Sequence, residues 1–202
     1  MSYRIHTHPP KKFIFFLDLK LALGFTVSLV QQNQVVKEEL KMNETLHLCQ
    51  EWDKVFPLSD EVHHHKTTFT NRYGITLAAD VYESKKASGK LPGIAVSGPF
   101  GAVKEQASGL YAHQLAKRGF FTIAFDPSYT GESGGFPRNV ASPDTNTEDF
   151  MAAVDFLSVQ ENVDSDKIGI LGICGLEVWL KCCHADTRIK ATVTSTMYDN
   201  DK

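Results

Sequence analysis

From Leu91 onward, four short apolar runs alternate with segments of helical periodicity, and this alternation constrains the fold more than any other feature. The runs are Leu91 to Ser97, Phe120 to Phe125, Lys167 to Ile173 and Ile189 to Thr196. All four read as strands, and Phe120 to Phe125 is continuously apolar, the form expected when helices cover both faces of a parallel sheet. Between the first two, Lys104 to Arg118 is predicted to be a helix with Ala107, Leu110, Tyr111 and Leu115 facing inward and Gly119 as its cap. Pro127 to Thr145 reads as a loop rich in glycine, proline and serine. Asn146 then caps a helix on which Phe150, Val154 and Leu157 form one stripe, and a further helix is predicted from about Leu176. Upstream, Val62 to Thr70 and Ile75 to Tyr82 are β-rich, and Asn71-Arg72-Tyr73-Gly74 joins them as a hairpin. Leu46, Cys49, Trp52 and Phe56 recur at helical spacing, which predicts a short helix from Met42 to Phe56, ended by Pro57. These elements define an α/β protein with a mostly parallel sheet, a leading antiparallel hairpin and helices on both faces. In such sheets the active site lies at the carboxyl ends of the strands.

The 202 residues suffice for one sizeable core, assigned here to residues 42–202, with residues 1–41 as an atypical extension. In that extension Lys11 and Lys12 precede the apolar run Phe13 to Val30, which imitates a signal peptide. Asp18 and Lys20 interrupt the run and oppose membrane spanning, at a cost of roughly 2.5–3.5 kcal/mol per charge. No stable membrane insertion is expected, and the alternatives are a non-native-looking extension, an amphipathic helix or a poor signal. Met42 offers an alternative start. With 21 basic and 24 acidic side chains, the net charge of −3 carries no block that would attract nucleic acid. The four cysteines, Cys49, Cys174, Cys182 and Cys183, match neither a disulfide framework nor a zinc site. That usage points to the reducing cytoplasm, while the signal-like start leaves secretion open. Cys182-Cys183-His184 is a poor chelator, since neighbouring helical residues diverge by about 100°.

Two stretches resemble a glycine–x–nucleophile–x–glycine turn. Gly131-Glu132-Ser133-Gly134-Gly135 has the letters but lacks a strand directly before it and a helix after it, so Ser133 is read as part of a glycine-rich loop. Gly172-Ile173-Cys174-Gly175 has both. The strand-to-helix bend lifts the nucleophile clear of the sheet, the glycines tolerate its backbone, and a helix amino terminus lowers a thiol pKa. Cys174 is therefore the candidate nucleophile, against the alternative of a small buried apolar residue. The amide after it, Gly175, is a candidate oxyanion donor. Ser97-Gly98-Pro99-Phe100-Gly101 follows an inner strand and supplies a second; Pro99 has no amide hydrogen, so Phe100 is the choice.

In this order, "VSGPFGAVKEQ", "AFDPSYTGESGG", "DKIGILGICG" and "DTRIKATVTSTMYD" resemble an α/β-hydrolase of the dienelactone-hydrolase-like kind, a group related to cocaine esterase and X-prolyl peptidases. The likeness covers about Leu46 to Asp199, the amino-terminal two thirds of such a fold, so the sheet is expected to be incomplete at its carboxyl-terminal end. The resemblance implies hydrolysis of a small-molecule ester or lactone through an acyl-enzyme, a Cys-His-Asp or Ser-His-Asp triad in the chain order nucleophile, acid, histidine, and no cofactor; the cysteine and histidine spacing gives no expectation of a metal.

Two departures qualify it. No histidine follows His184, and His113 and the run His63-His64-His65 precede the nucleophile. The triple histidine is read as a solvated hairpin, since alternation sends its members to opposite faces; Asp199 is a candidate acid. Little turnover is therefore expected, with a catalytically dead binding or gene-model fragment as the alternative, associating through an exposed sheet edge. A redox-responsive thiol protein using Cys174 with Cys182 or Cys183 is a third reading. The second departure is Leu176-Glu177-Val178-Trp179, bulky where relatives are small; between Gly175 and Ala185 the likeness lapses, which suggests a local reading-frame slip.

Overall fold

The computed structural model of the chain describes residues 46–174 and 186–196. Among them are six strands and two helices: β1 (Val62–Thr70), β2 (Thr76–Ser84), β3 (Leu91–Ser97), α1 (Ala107–Ala116), β4 (Phe121–Phe125), α2 (Pro143–Ser158), β5 (Val163–Ile173) and β6 (Ile189–Ser195). One sheet takes all six strands in the order β1-β2-β4-β3-β5-β6. The β1–β2 and β2–β4 pairs are antiparallel, while β4–β3, β3–β5 and β5–β6 are parallel. The predicted hairpin is present, and its Gly74 has φ 79°. Asn71 accepts at its side-chain oxygen from the amides of Tyr73 and Ile75, which fixes the turn.

Each inner strand presents alternate residues to two cores. Leu77, Ala79 and Val81 of β2 join Ala95, Ile123, Phe125, Ile168 and Ile170 beneath α2, whose Phe150, Val154 and Leu157 are buried as their spacing required. Tyr82, Val96, Ala124, Leu171 and Ile173 face the opposite side, against Ala112 and Ala116 of α1. Helices therefore cover both faces, which explains why the inner strands carry apolar residues at successive positions.

Three local readings are corrected. On α1 the buried residues are Ser108, Gly109, Ala112, His113 and Ala116, whereas Leu110 and Tyr111 are exposed. Small residues win this face because the helix lies close to the sheet: a β-carbon added to Gly109 would stand 3.2 Å from the Tyr82 hydroxyl and 3.3 Å from the Phe56 ring. Residues 46–56 form no helix. Their helical spacing reflects instead a folded-back segment in which Trp52 Nε1 donates to the Phe56 carbonyl at 2.7 Å and the two rings meet edge to face. Finally, α2 starts earlier than expected, with Ser142 as its cap and Pro143 in the first turn. Asn146 sits inside that turn and accepts from the Ser142 amide at 3.1 Å, so it assists the cap.

Candidate active site

The strand order places the site. The chain runs from β3 to its neighbour β4 on one side, then crosses to β5 on the other. The strand order therefore switches direction between β3 and β5, and α/β sheets bind ligands at the carboxyl ends of the strands at such a switch point. Cys174 directly follows β5, and Phe100 lies in the loop after β3. Ser97 pairs with Gly172, so the two strands finish at nearly the same level.

Cys174 has φ 61°, in the left-handed region that costs a non-glycine residue roughly 1–2 kcal/mol. The conformation is held from one side: its amide donates to the Ser195 carbonyl at 3.0 Å, extending the β5–β6 ladder by one bond. Its side chain is half-buried against the core beneath α1, and its thiol forms no disulfide. Outliers of this kind gather at functional sites, where surrounding structure holds them. Gly175, the helix expected from Leu176, Cys182, Cys183, His184 and Asp199 lie outside the described residues, as does the apolar run near the amino terminus. No described helix is long and apolar enough to cross a membrane.

The loop after β3 is tied at both ends to the end of β4. Ser97 is buried, and its hydroxyl reaches the Phe125 carbonyl at 3.5 Å. At the other end, the Lys104 amide donates to Asp126 Oδ1 at 2.7 Å. Between them the Ala102 amide closes a turn onto the Pro99 carbonyl at 3.0 Å. No described group accepts from the Phe100 amide. The other glycine-rich stretch is structural, as read from the sequence: Ser133 is buried, donates to the Asp126 carbonyl at 2.7 Å and accepts from the Ala78 amide at 2.8 Å. Its hydroxyl is thus occupied.

A buried ionic network adjoins these loops. Lys104 Nζ meets Asp126 at 2.9 Å and Glu105 and Glu132 at 2.6 Å each. Burial alone would lower the Lys104 pKa, but these three carboxylates hold it well above the usual lysine value. Lys66 bridges Asp53 and Glu132 at 2.9 Å each, and Lys54 bridges Asp53 at 2.6 Å and Asp80 at 3.0 Å. Burial would raise the Asp53 pKa, yet hydrogen bonds from Lys54 and Lys66 hold it well below the carboxylate range. Asp53, Glu105 and Glu132 gather carboxylate oxygens within 4.8 Å of one another, but the ammonium groups of Lys54, Lys66 and Lys104 are paired with them.

The histidines fall elsewhere. His63 and His65 are exposed, as a solvated hairpin requires, but His64 is not: it faces the α1 side and pairs with buried Asp80 at 2.8 Å. His113 is buried and its Nε2 accepts from the Ser59 amide at 3.2 Å. Burial, with Lys117 and His64 nearby, lowers its pKa. No described histidine hydrogen-bonds to the Cys174 sulfur. Sequence reasoning missed the network. The available signal was Asp80, a lone carboxylate inside the apolar run Leu77 to Tyr82, on a strand otherwise buried on both faces.

A six-stranded mixed sheet with helices on both faces and a left-handed residue at the end of an inner strand defines the class: this is an α/β-hydrolase fold. The family described as X-Pro dipeptidyl-peptidase (S15 family) matches residues 73–196, and the chain belongs to it. It is 64% identical over 162 residues to the uncharacterized protein PA2218 of Pseudomonas aeruginosa, covering 78% of this chain and 43% of that protein. The crystal structure of PA2218 superposes with TM-score 0.75 over 78% of this chain and 50% of that one. The uncharacterized protein YcjY of Escherichia coli is 43% identical over 134 residues, 64% of this chain and 44% of that one. The thiohydrolase aneE of Aspergillus aculeatus is 37% identical over 82 residues, 41% of this chain and 26% of the enzyme. The crystal structure of the α/β hydrolase GrgF from Penicillium sp. sh18 has TM-score 0.63 at 25% identity, over 67% of this chain and 46% of that one. The chain thus spans about half the length of these relatives, or less.

Proposed function

We propose that this chain carries the nucleophile and part of the oxyanion-binding framework of an acyl-group hydrolase, with Cys174 attacking a small-molecule ester, lactone or thioester. The observation that carries the reading is the left-handed backbone at Cys174, directly after β5 and beside the carboxyl end of β3, where the strand order switches. The thiolate adds to the acyl carbonyl carbon, the carbonyl electron pair moves to oxygen, and collapse of that intermediate expels the alkoxide or thiolate, which takes a proton from solvent, leaving a thioester on Cys174. Water then attacks the thioester and releases the acid. The Gly175 and Phe100 amides are assigned the developing oxyanion, and donors of this kind are each worth roughly 10²–10³ in rate. Likeness to a thiohydrolase supports acyl thioesters among the substrates. The free thiol suits a reducing compartment, and we place the protein in the cytoplasm.

Acylation is expected to outrun deacylation, which needs a base placed to activate water, so steady-state turnover is expected to be slow. Incubation with p-nitrophenyl acetate should release one equivalent of nitrophenol in a burst. The Cys174→Ala protein should release none. A burst that survives this substitution would overturn the assignment.

A further inference from the structure

We infer that Asp126 is a positioning residue for the oxyanion loop: by gripping Lys104 at both its amide and its ammonium, it sets where the Phe100 amide points. The inference rests on the acyl-transfer reading above and adds a residue that touches neither substrate nor sulfur. The loop is short, so its geometry follows from its anchors. One anchor is the end of β3, where the Ser97 hydroxyl meets the Phe125 carbonyl. The other is Lys104, four residues beyond Phe100, and both of its bonds end on one carboxylate: amide to Oδ1 at 2.7 Å and Nζ to Oδ2 at 2.9 Å. Phe125 and Asp126 are consecutive, so the end of β4 holds the loop at both feet.

The same carboxylate reaches a second loop. Asp126 Oδ2 accepts from the Glu132 amide at 2.9 Å, and Glu132 in turn accepts from Lys104 Nζ and from the Cys49 amide. Asp126 and the Lys104 side chain are fully buried. Burial pushes the Asp126 carboxyl above its ordinary range while Lys104 pulls it back. Space is set aside for the carboxylate: a β-carbon on Gly131, whose φ is 54°, would come within 2.5 Å of Asp126 Cγ. That glycine lets the loop backbone pass the carboxylate. A charged pair is a costly way to fill an interior, since apolar residues of like volume serve stability as well or better. What the pair adds is direction, because an amide and an ammonium bonded to two oxygens of one planar group cannot both be kept if the loop rotates.

The test separates positioning from general damage by comparing two reactions of the same thiol. Acylation of Cys174 by p-nitrophenyl acetate passes through an oxyanion; alkylation by iodoacetamide does not. In Asp126→Asn the ratio of acylation to alkylation rates should fall by about ten- to a hundredfold, with alkylation within about twofold of the parent, since a misplacement near 1 Å costs on the order of 10² in rate. Gly131→Ala, which keeps every charge and displaces the carboxylate, should lower the ratio in the same direction and covers the case in which Asp126→Asn fails to fold. Asp149→Asn, at a buried carboxylate bonded to Ser128 and Asn71 instead, should leave the ratio unchanged. An unchanged ratio in a folded Asp126→Asn or Gly131→Ala protein would refute positioning, as would an equal fall in Asp149→Asn. If the parent protein is alkylated but never acylated, the acyl-transfer reading itself fails.

Discussion

Cys174 and Asp149 show two ways in which single residues carry unfavourable free energy in this fold. Cys174 takes a left-handed backbone, which its bond to Ser195 and the packing of β5 must hold. Asp149 is instead an acid in the wrong medium: burial pushes its pKa up to about 6, against the opposing hydrogen bonds from Ser128 and Asn71. Its folded-state pKa lies above the ordinary aspartate value of about 3.9, so between the two the folded protein holds this proton where the unfolded chain has lost it. The contribution of Asp149 to stability is therefore fully present below about pH 4 and declines as pH rises through about 6. Urea unfolding from pH 4 to 8 should show the parent losing stability relative to Asp149→Asn across that window. Parallel pH profiles would contradict the assignment. Asp149 stood in the sequence as one of several acids on an amphipathic helix, and only the meeting of α2 with Asn71 and Ser128 made it distinct.

At the scale of elements, α1 is the instructive case. Leu110 and Tyr111 looked like the inward face because they are the large apolar residues at helical spacing, yet the helix turns Gly109, Ala112 and Ala116 to the sheet. Side-chain size, set by the distance between helix and strand, overrode hydrophobicity. Leu110→Gln should therefore change unfolding free energy by no more than about 0.5 kcal/mol. Ala112→Gln, forced against the core beneath α1, should cost about 1–3 kcal/mol. Equal costs in thermal unfolding would restore the first orientation. The inner strands were legible because continuous apolar runs have few other readings, and the stripe of α2 because Phe150, Val154 and Leu157 recur at i, i+4 and i+7, on one face of the helix. The segment 46–56 misled for a related reason: spacing of Trp52 and Phe56 suits a helix, but a contact between indole nitrogen and backbone carbonyl gives the same spacing without one.

For the whole molecule, the ionic network ties the segment before β1 to the sheet and to the loops after β3 and β4. Lys54 is the link on which that attachment most depends, since its ammonium lies fully buried between Asp53 and Asp80. Lys54→Met should lower unfolding free energy by about 3–5 kcal/mol, because it leaves a buried carboxylate without its cation; a loss below about 1 kcal/mol in urea unfolding would show that water or His64 takes over. Such long-range pairing joins residues up to 66 positions apart and leaves no periodic trace in the sequence, which is why the network escaped notice. Of the candidate site, the sequence carries a local signal only in Gly172-Ile173-Cys174-Gly175, whereas the bonds from Cys174 to β6 and from the loop after β3 to the end of β4 come from topology. Intact-protein and peptide mass spectrometry after exposure to p-nitrophenyl acetate tests the central claim most directly. The expected result is a single acetyl group on Cys174, absent from Cys174→Ala; an unmodified Cys174 in folded protein, or acetylation shared with exposed Cys49, would contradict it.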